Sequence, residues 1–84
     1  MDYVARTPKQ LGAILKSCRN QRRLTQHEAG ARVGLKQSTV SHIETDATHT
    51  RIESLYRLIS SLGLELVLRE KKSVQASGRH SPVW

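Results

Sequence analysis

The sequence predicts a mainly α-helical domain of four to five helices that ends in one β-strand. Capping motifs mark helix starts, apolar residues recur at helical spacing after them, and the pattern changes to strict alternation over residues 64–70. With 84 residues, the chain has room for one small domain with a limited core. We expect residues 1–70 to form that domain. Residues 71–84, which are rich in Ser, Gly and charge, are expected to form a flexible tail.

The charge balance of the chain favours a polyanionic partner. Lys and Arg number 14 against 7 Asp and Glu, which gives a net charge of +7. A charged, solubilising surface is the simpler explanation, but the motif described below favours attraction to nucleic acid. The single cysteine excludes an internal disulfide. Because no apolar run is long enough to span a bilayer and the N-terminus does not resemble a signal peptide, we expect a cytoplasmic protein without a membrane partner.

The first helix is predicted to begin at Thr7, after an irregular arm of residues 1–6. Thr7 can cap it, Pro8 suits the first helical position, and Gln10 completes a capping box. The apolar stripe that follows has the spacing of a buried helix face and consists of Leu11, Ile14, Leu15 and Cys18. Cys18 is therefore expected to be a core residue rather than a reactive thiol.

Residues 24–44 are predicted to form two short helices joined by a glycine turn. Thr25 and Glu28 form a capping box at the start of the first helix, and Gly34 tolerates the left-handed backbone that ends it. The second helix is predicted from about Gln37 to Glu44. This spacing is typical of a helix-turn-helix, whose second helix lies in the major groove of DNA.

The outer face of this second helix carries small, hydrogen-bonding side chains that can approach base edges closely. The amide of Gln37 can bond N6 and N7 of adenine together, and Lys36 can reach O6 and N7 of guanine or a phosphate. His42 is expected at a phosphate or at a base edge. The predicted base-reading residues are Lys36, Gln37, Ser38, Ser41 and His42.

Phosphate contacts are predicted on both sides of this helix. Gln26 follows a helix cap, so its backbone N–H and its amide can reach a phosphate. Arg22 and Arg23 either touch phosphate or form a solvated helix end, and the sequence leaves both interpretations open. Residues 45–50 form a polar loop that is either solvated or close to phosphate. The predicted phosphate-contacting residues are Thr25, Gln26, Arg22, Arg23 and Thr48.

The last helix and the strand after it form the predicted dimerisation region. Thr50 and Glu53 predict a capping box at the helix start, and Gly63 predicts the helix end. Since the alternating strand at residues 64–70 is unstable alone, we predict that it pairs antiparallel with the same strand of a second copy. A helix that continues to residue 70 is the alternative, against which Gly63 argues. The predicted dimerisation residues are Leu64, Leu66 and Leu68.

The segment LTQHEAGARVGLKQSTVSHIE, residues 24–44, resembles the helix-turn-helix of the phage-repressor and Xre-like superfamily. The matching positions are Leu24-Thr25-Gln26, Gly34 and Ser38-Thr39-Val40-Ser41-His42-Ile43-Glu44. Ala29, Gly30 and Lys36 depart from the family pattern, and Gly30 within a helix is expected to cost roughly 1 kcal/mol against Ala. The resemblance implies that Gln26 clamps the DNA backbone. It also implies that Arg19 pairs with Glu44 in a structural role.

Beyond the motif, nearly the whole chain resembles the HipB-like antitoxins. The segment from Lys36 to Ser41 is close to their recognition helix, an alternating strand follows the last helix, and the tail ends in Trp84. The resemblance implies a homodimer that binds palindromic operators in double-stranded DNA upstream of its own operon. It also implies binding to a HipA-like kinase toxin, with the tail docking on that toxin through Trp84.

Three other functions compete with that of a DNA-binding antitoxin of a type II toxin-antitoxin system. A stand-alone dimeric Xre-type repressor without a toxin has no need of a terminal aromatic anchor, so the tail with Trp84 distinguishes the two. A protein-interaction module that no longer binds DNA is disfavoured by Lys36, Gln37 and the net charge. An enzyme is disfavoured because the sequence shows neither metal-ligand spacing nor a nucleophile beside a base, and no metal or cofactor is expected.

Overall fold

The structure is a computed structural model that describes residues 1–71. This part of the chain contains four α-helices and one short 3₁₀ helix, in agreement with the prediction of four to five helices. In chain order these are α1 (Pro8–Gln21), α2 (Gln26–Ala31), α3 (Gln37–Thr45), the 3₁₀ helix (Ala47–His49) and α4 (Ile52–Ser61). None of the helices within residues 1–71 has the length and apolar character that crossing a bilayer requires. Trp84 and the rest of the predicted tail after Lys71 lie outside the described residues.

The core lies around α3, against which both α1 and α2 pack. Val40 and Ile43 of α3 have no exposed surface, and burial of an aliphatic side chain of this size contributes roughly 1.5–3 kcal/mol. Cys18 is also fully buried, which confirms the prediction that it is a core residue. The buried apolar residues are Leu15, Cys18, Ala29, Val40, Ile43, Leu58, Ile59 and Leu62. This packing fixes the inner face of α3 and leaves its opposite face to solvent.

The capping boxes predicted at the starts of α1 and α2 form to different extents. At α1 the Thr7 hydroxyl accepts from the backbone N–H of Gln10 at 3.0 Å, but the Gln10 side chain accepts from Arg6 at 2.7 Å instead of from Thr7. Only half of that box forms. At α2 both bonds are present, at 3.0 Å into the Thr25 hydroxyl and 2.8 Å into the Glu28 carboxylate. The start of the first motif helix is therefore as predicted.

Glu28 makes the start of α2 sensitive to acid. The backbone N–H of Thr25, followed by the Thr25 side chain, holds the pKa of Glu28 below its ordinary value. The ionised carboxylate therefore stabilises the fold above the unfolded-state pKa of about 4.3, and this contribution is lost as the pH falls through the lower folded-state pKa.

Between about pH 6 and pH 3, the free energy of unfolding should consequently fall further for the wild type than for Glu28→Gln. Urea unfolding at a series of pH values measures this difference. Glu65→Gln, which removes an exposed carboxylate after α4, is the matched control. The same pH dependence in the wild type and in Glu28→Gln would show that this carboxylate does not contribute.

Two glycines allow α1 and α2 to approach α3 and the turn before it closely. A Cβ atom on Gly12 of α1 would lie 2.4 Å from the carbonyl oxygen of Ile43, and one on Gly30 of α2 would lie 2.5 Å from that of Leu35. The prediction that Gly30 weakens the helix pair relative to Ala is therefore wrong, because the structure has no room for a methyl group there. Both glycines are requirements of the packing that orients α3.

The start of α4 differs from the prediction. The helix is preceded by Arg51, which makes no side-chain capping bond, so the capping box of Thr50 and Glu53 does not form. The cause is the 3₁₀ helix just before it: the backbone N–H of Thr50 donates to the carbonyl of Ala47 at 3.1 Å and ends that turn. Thr50 therefore belongs to the turn, and its buried hydroxyl has no hydrogen-bond partner among the described residues.

Within residues 1–71, no other segment pairs with the predicted strand of residues 64–70. Since α4 ends at Ser61, the alternative of a helix continuing to residue 70 is excluded. Residues 64–71 form no regular secondary structure, with Leu64 packed against the core while Leu66 and Leu68 are 45% and 90% exposed. Pairing with a second copy stays a prediction.

Candidate nucleic-acid interface

The outer face of α3 presents the predicted base-reading residues together. Gln37, Ser38 and His42 are exposed, and Ser41 is half-buried. Lys36 is also exposed and precedes the helix in an extended backbone conformation without a side-chain capping bond. Because Val40 and Ile43 anchor the inner face, the helix cannot rotate without exposing them. A face with this composition can enter a major groove.

The turn before α3 fixes its direction relative to α2. Gly34 has a φ of +73°, in the left-handed region that favours glycine, as predicted for this turn. The backbone N–H groups of Val33 and Leu35 both donate to the carbonyl of Gly30, at 3.0 Å and 2.9 Å. The side chain of Leu35 packs against the core. The two motif helices are thus held by one short turn.

A buried ion pair joins α1 to the end of α3. Arg19 donates from Nε to Glu44 Oε2 at 2.6 Å and from Nη2 to Oε1 at 3.1 Å. The two side chains are 10% and 2% exposed. Arg19 also donates from Nη1 to the carbonyl of Leu24 at 2.7 Å, which ties the start of the motif to the same guanidinium. The two residues that the resemblance paired are therefore in contact.

Gln26 lies between this ion pair and the base-reading face. Its Nε2 donates to Glu44 Oε1 at 3.1 Å, and its Oε1 accepts from Gln37 Nε2 at 3.4 Å. From the sequence, Gln26 is predicted to contact phosphate, Glu44 to be a structural partner and Gln37 to read a base. The structure brings them into one chain of hydrogen bonds that runs from the protein interior to the surface of α3.

The remaining phosphate candidates lie at both ends of the motif. Arg22 and Arg23 are exposed between α1 and α2. Arg22 donates from Nη1 to the carbonyl of Cys18 at 3.0 Å. Arg23 has a left-handed backbone conformation, with a φ of +56°. Thr25 is exposed at the start of α2. Thr48 lies in the 3₁₀ helix after α3, where its backbone N–H donates to Asp46 at 2.9 Å and its hydroxyl donates to the same carboxylate. These bonds with Thr48 lower the pKa of Asp46.

A shallow groove of about 420 Å³ runs beside α3 towards the start of α4. Its lining residues are Ser38, Thr39, His42, Ile43, His49, Thr50, Arg51 and Ser54. Arg51 was absent from the predicted set, although it shares this groove with Ser38 and His42. Its position in the sequence could have indicated this, because Arg51 directly follows the polar loop of residues 45–50, and that loop places the start of α4 beside α3.

Comparisons with known proteins agree with this geometry. The family model HTH_3, described as Helix-turn-helix, matches residues 15–68. The antitoxin HipB of Escherichia coli O6:H1 is 31% identical over 80 residues, which cover 93% of this chain and 85% of that protein. Two solved structures, described as "HipB-O4 20mer complex" and "Structure of HipA-HipB-O2-O3 complex", each align with a TM-score of 0.78 and 29% identity. Each alignment covers 86% of this chain and 100% of the similar chain.

Proposed function

The chain belongs to the Helix-turn-helix family HTH_3 and to the family of the HipB antitoxins, and we infer from this that it is a sequence-specific DNA-binding antitoxin of a type II toxin-antitoxin system. It represses its own operon and binds a HipA-like kinase toxin. The observation that carries the proposal is the exposed polar face of α3, held in place by two buried apolar anchors and a buried ion pair. The similar HipB chains occur in complexes with O4 and with HipA, O2 and O3, which supports both partners.

Operator recognition follows from the arrangement of α3. Each subunit of a homodimer places α3 in one major groove, so that the half-sites of a palindrome lie about 34 Å apart. Gln37 and its neighbours read base edges, whereas the cations and amides around the motif hold phosphates and supply affinity without sequence preference. We add Arg51 to the phosphate-contacting residues, because it shares the groove beside α3.

The exposed apolar surface supports dimerisation. Ile52 and Tyr56 of α4 are 68% and 51% exposed, and Leu66, Val67 and Leu68 after the helix are exposed as well. An apolar surface of this kind on a small domain is typical of a protein interface. Pairing of residues 64–70 with the same segment of a second copy would cover it and satisfy the backbone groups of both strands.

The toxin contact is assigned to the C-terminal tail. Trp84 lies outside the described residues, so this part of the proposal depends on the sequence and on the similarity to the HipB chain of the HipA complex. A large aromatic side chain such as that of Trp84 is a typical anchor in a partner's pocket. An antitoxin that represses its own operon acts where its DNA lies, so we place the protein in the cytoplasm. We assign it no catalytic role, since its relatives are antitoxins and regulators.

Replacing Gln37 by alanine should weaken binding to the operator and leave binding to random DNA unchanged. A lost bidentate base contact of roughly 1–3 kcal/mol corresponds to a loss of about 5- to 150-fold in affinity for the operator. The matched control is Arg22→Ala, which should weaken both kinds of DNA and reduce the salt slope by about one. Titrations at several salt concentrations, with DNA from upstream of the protein's own operon, measure both effects. Equal losses for Gln37→Ala on operator and random DNA would remove it from the base-reading residues.

Titration with the neighbouring HipA-like kinase tests the antitoxin function. The emission of Trp84, the only tryptophan of the chain, should shift to the blue in a saturable manner after correction for the kinase's own fluorescence. A variant without Trp84 should bind the kinase more weakly but should bind the operator as the wild type does. Operator binding without any kinase binding would instead identify a stand-alone dimeric repressor.

A further inference from the structure

Two histidines lie in the groove beside α3. His42 belongs to α3 and His49 to the 3₁₀ helix; both side chains are exposed, and Arg51 lines the same groove. Among the described residues that line it, Arg51 is the one Lys or Arg, and an arginine keeps its positive charge at every pH near neutrality. Histidine instead takes up a proton between about pH 8 and pH 5. The positive charge of the groove therefore rises from one to three as the pH falls.

The start of α4 makes this groove suitable for an anion. Arg51 precedes the helix without a side-chain capping bond, so its side chain does not satisfy the first backbone N–H groups of α4. A helix N-terminus of this kind favours a negatively charged group. Thr50, whose buried hydroxyl has no partner among the described residues, and Ser54 also line the groove. The carboxylate in the first turn of α4, Glu53, is paired with Arg57 at 3.1 Å.

The other charges near the two histidines do not change at neutral pH. The hydrogen bonds of Thr48, with smaller contributions from the positive charges of Lys9 and His49, lower the pKa of Asp46. This carboxylate is therefore ionised throughout the range in which histidine titrates, and it already accepts from the backbone N–H and the hydroxyl of Thr48. The two imidazoles are thus the groups at this groove whose charge depends on pH between 6 and 8.

We propose that His42 and His49, together with Arg51, form a proton-dependent site for a DNA phosphate, so that operator binding becomes tighter as the pH falls from 8 to 6. This inference rests on the proposed function in DNA binding. A neutral imidazole adds no charge to the groove, whereas a protonated imidazole attracts a phosphate and donates a hydrogen bond to it. By linkage, the affinity for DNA rises with each proton that the bound form holds better than the free form.

Titrations of the full-length protein at pH 6, 7 and 8 and at one salt concentration, with DNA from upstream of its own operon, test the proposal. One exposed ion pair strengthens binding by about 1.5- to 5-fold, and a dimer carries two such histidines on each subunit. The affinity at pH 6 should therefore exceed that at pH 8 by about tenfold.

The double variant with His42→Gln and His49→Gln should reduce this ratio to about threefold or less, because glutamine forms hydrogen bonds but cannot take up a proton. His80→Gln, which replaces a histidine of the predicted tail, is the matched control and should keep the wild-type ratio. His27 lies on α2 and is not among the residues that line the groove. It stays in every variant, so its contribution to the pH dependence cancels from the comparison.

The salt dependence distinguishes a phosphate contact from a base contact. Each phosphate that a cation neutralises steepens the salt slope by about 0.9, so the wild-type slope should be steeper at pH 6 than at pH 8 by about one or more. The double variant should have nearly the same slope at both pH values. A rise in affinity without a change of slope would place the imidazoles at base edges and overturn the phosphate site.

Circular dichroism at pH 6 and pH 8 establishes that each variant is folded. If the double variant does not fold, His49→Gln alone decides, and it should lose about half of the logarithm of the wild-type ratio. An affinity that does not rise towards pH 6 would overturn the proposal, and so would a rise that the double variant keeps in full. A wild type that binds no DNA at either pH would instead refute the proposed function itself.

Discussion

Replacing Arg19 by methionine is expected to destabilise the domain by roughly 3–5 kcal/mol. The Glu44 carboxylate, with its side chain 2% exposed, would lose two guanidinium hydrogen bonds and its only buried positive partner among the described residues. The carbonyl of Leu24 would lose its donor at the same time. Small domains are stable by only about 5–15 kcal/mol, so this loss removes a large part of the total.

Urea unfolding followed by circular dichroism measures this loss, and the chain offers a matched control on α4. Arg57 donates to Glu53 at 3.1 Å, but these side chains are 46% and 71% exposed. Because solvent screens such a pair, Arg57→Met should cost less than about 0.5 kcal/mol. If the two arginine variants lost the same stability, burial would not be what makes the Arg19 pair important.

Replacing Gly12 by alanine is expected to destabilise the domain by roughly 2–3 kcal/mol, although the same change in an exposed helix stabilises by up to about 1 kcal/mol. The new methyl group would lie 2.4 Å from the carbonyl oxygen of Ile43 and 2.8 Å from that of Glu44. Both atoms belong to the backbone, so no side-chain rotation can relieve the contact. α1 would have to move away from α3 and disturb the nearby ion pair.

The midpoint of thermal unfolding should fall by about 10 °C or more in Gly12→Ala, at 4–8 °C per kcal/mol for a domain of this size. Ser17→Ala, at an exposed position of the same helix, is the control and should stay within about 0.5 kcal/mol of the wild type. A Gly12→Ala variant as stable as the wild type would mean that α1 and α3 do not approach as closely as described.

The features that could be predicted from sequence are those set by neighbouring residues. The capping box of Thr25 and Glu28 and the left-handed turn at Gly34 depend on residues within a few positions of each other, and both are present. The outer face of α3 follows from helical periodicity alone. Thr50 shows the limit of this reasoning, because two local patterns compete there and the 3₁₀ turn forms instead of the capping box.

The remaining features depend on which elements lie opposite each other. From the sequence, Gly12 has no visible role in α1, and Gly30 is expected to weaken α2. Only the structure shows that the backbone of another segment lies against each of them. Gln26 is 18 positions from Glu44 and 11 from Gln37, so no local pattern joins them. The assignment of individual residues to bases, phosphates and the toxin stays a prediction.

Arg23 shows that stability and charge can oppose each other at one position. Its φ of +56° is a conformation that costs an ordinary residue roughly 1 kcal/mol and costs glycine little. Glycine there would relax the link between the first two helices but would remove a cation from the surface beside the motif. The domain is therefore not built for greatest stability at this point, and a thermostabilised version obtained by Arg23→Gly would have a weaker electrostatic attraction to DNA.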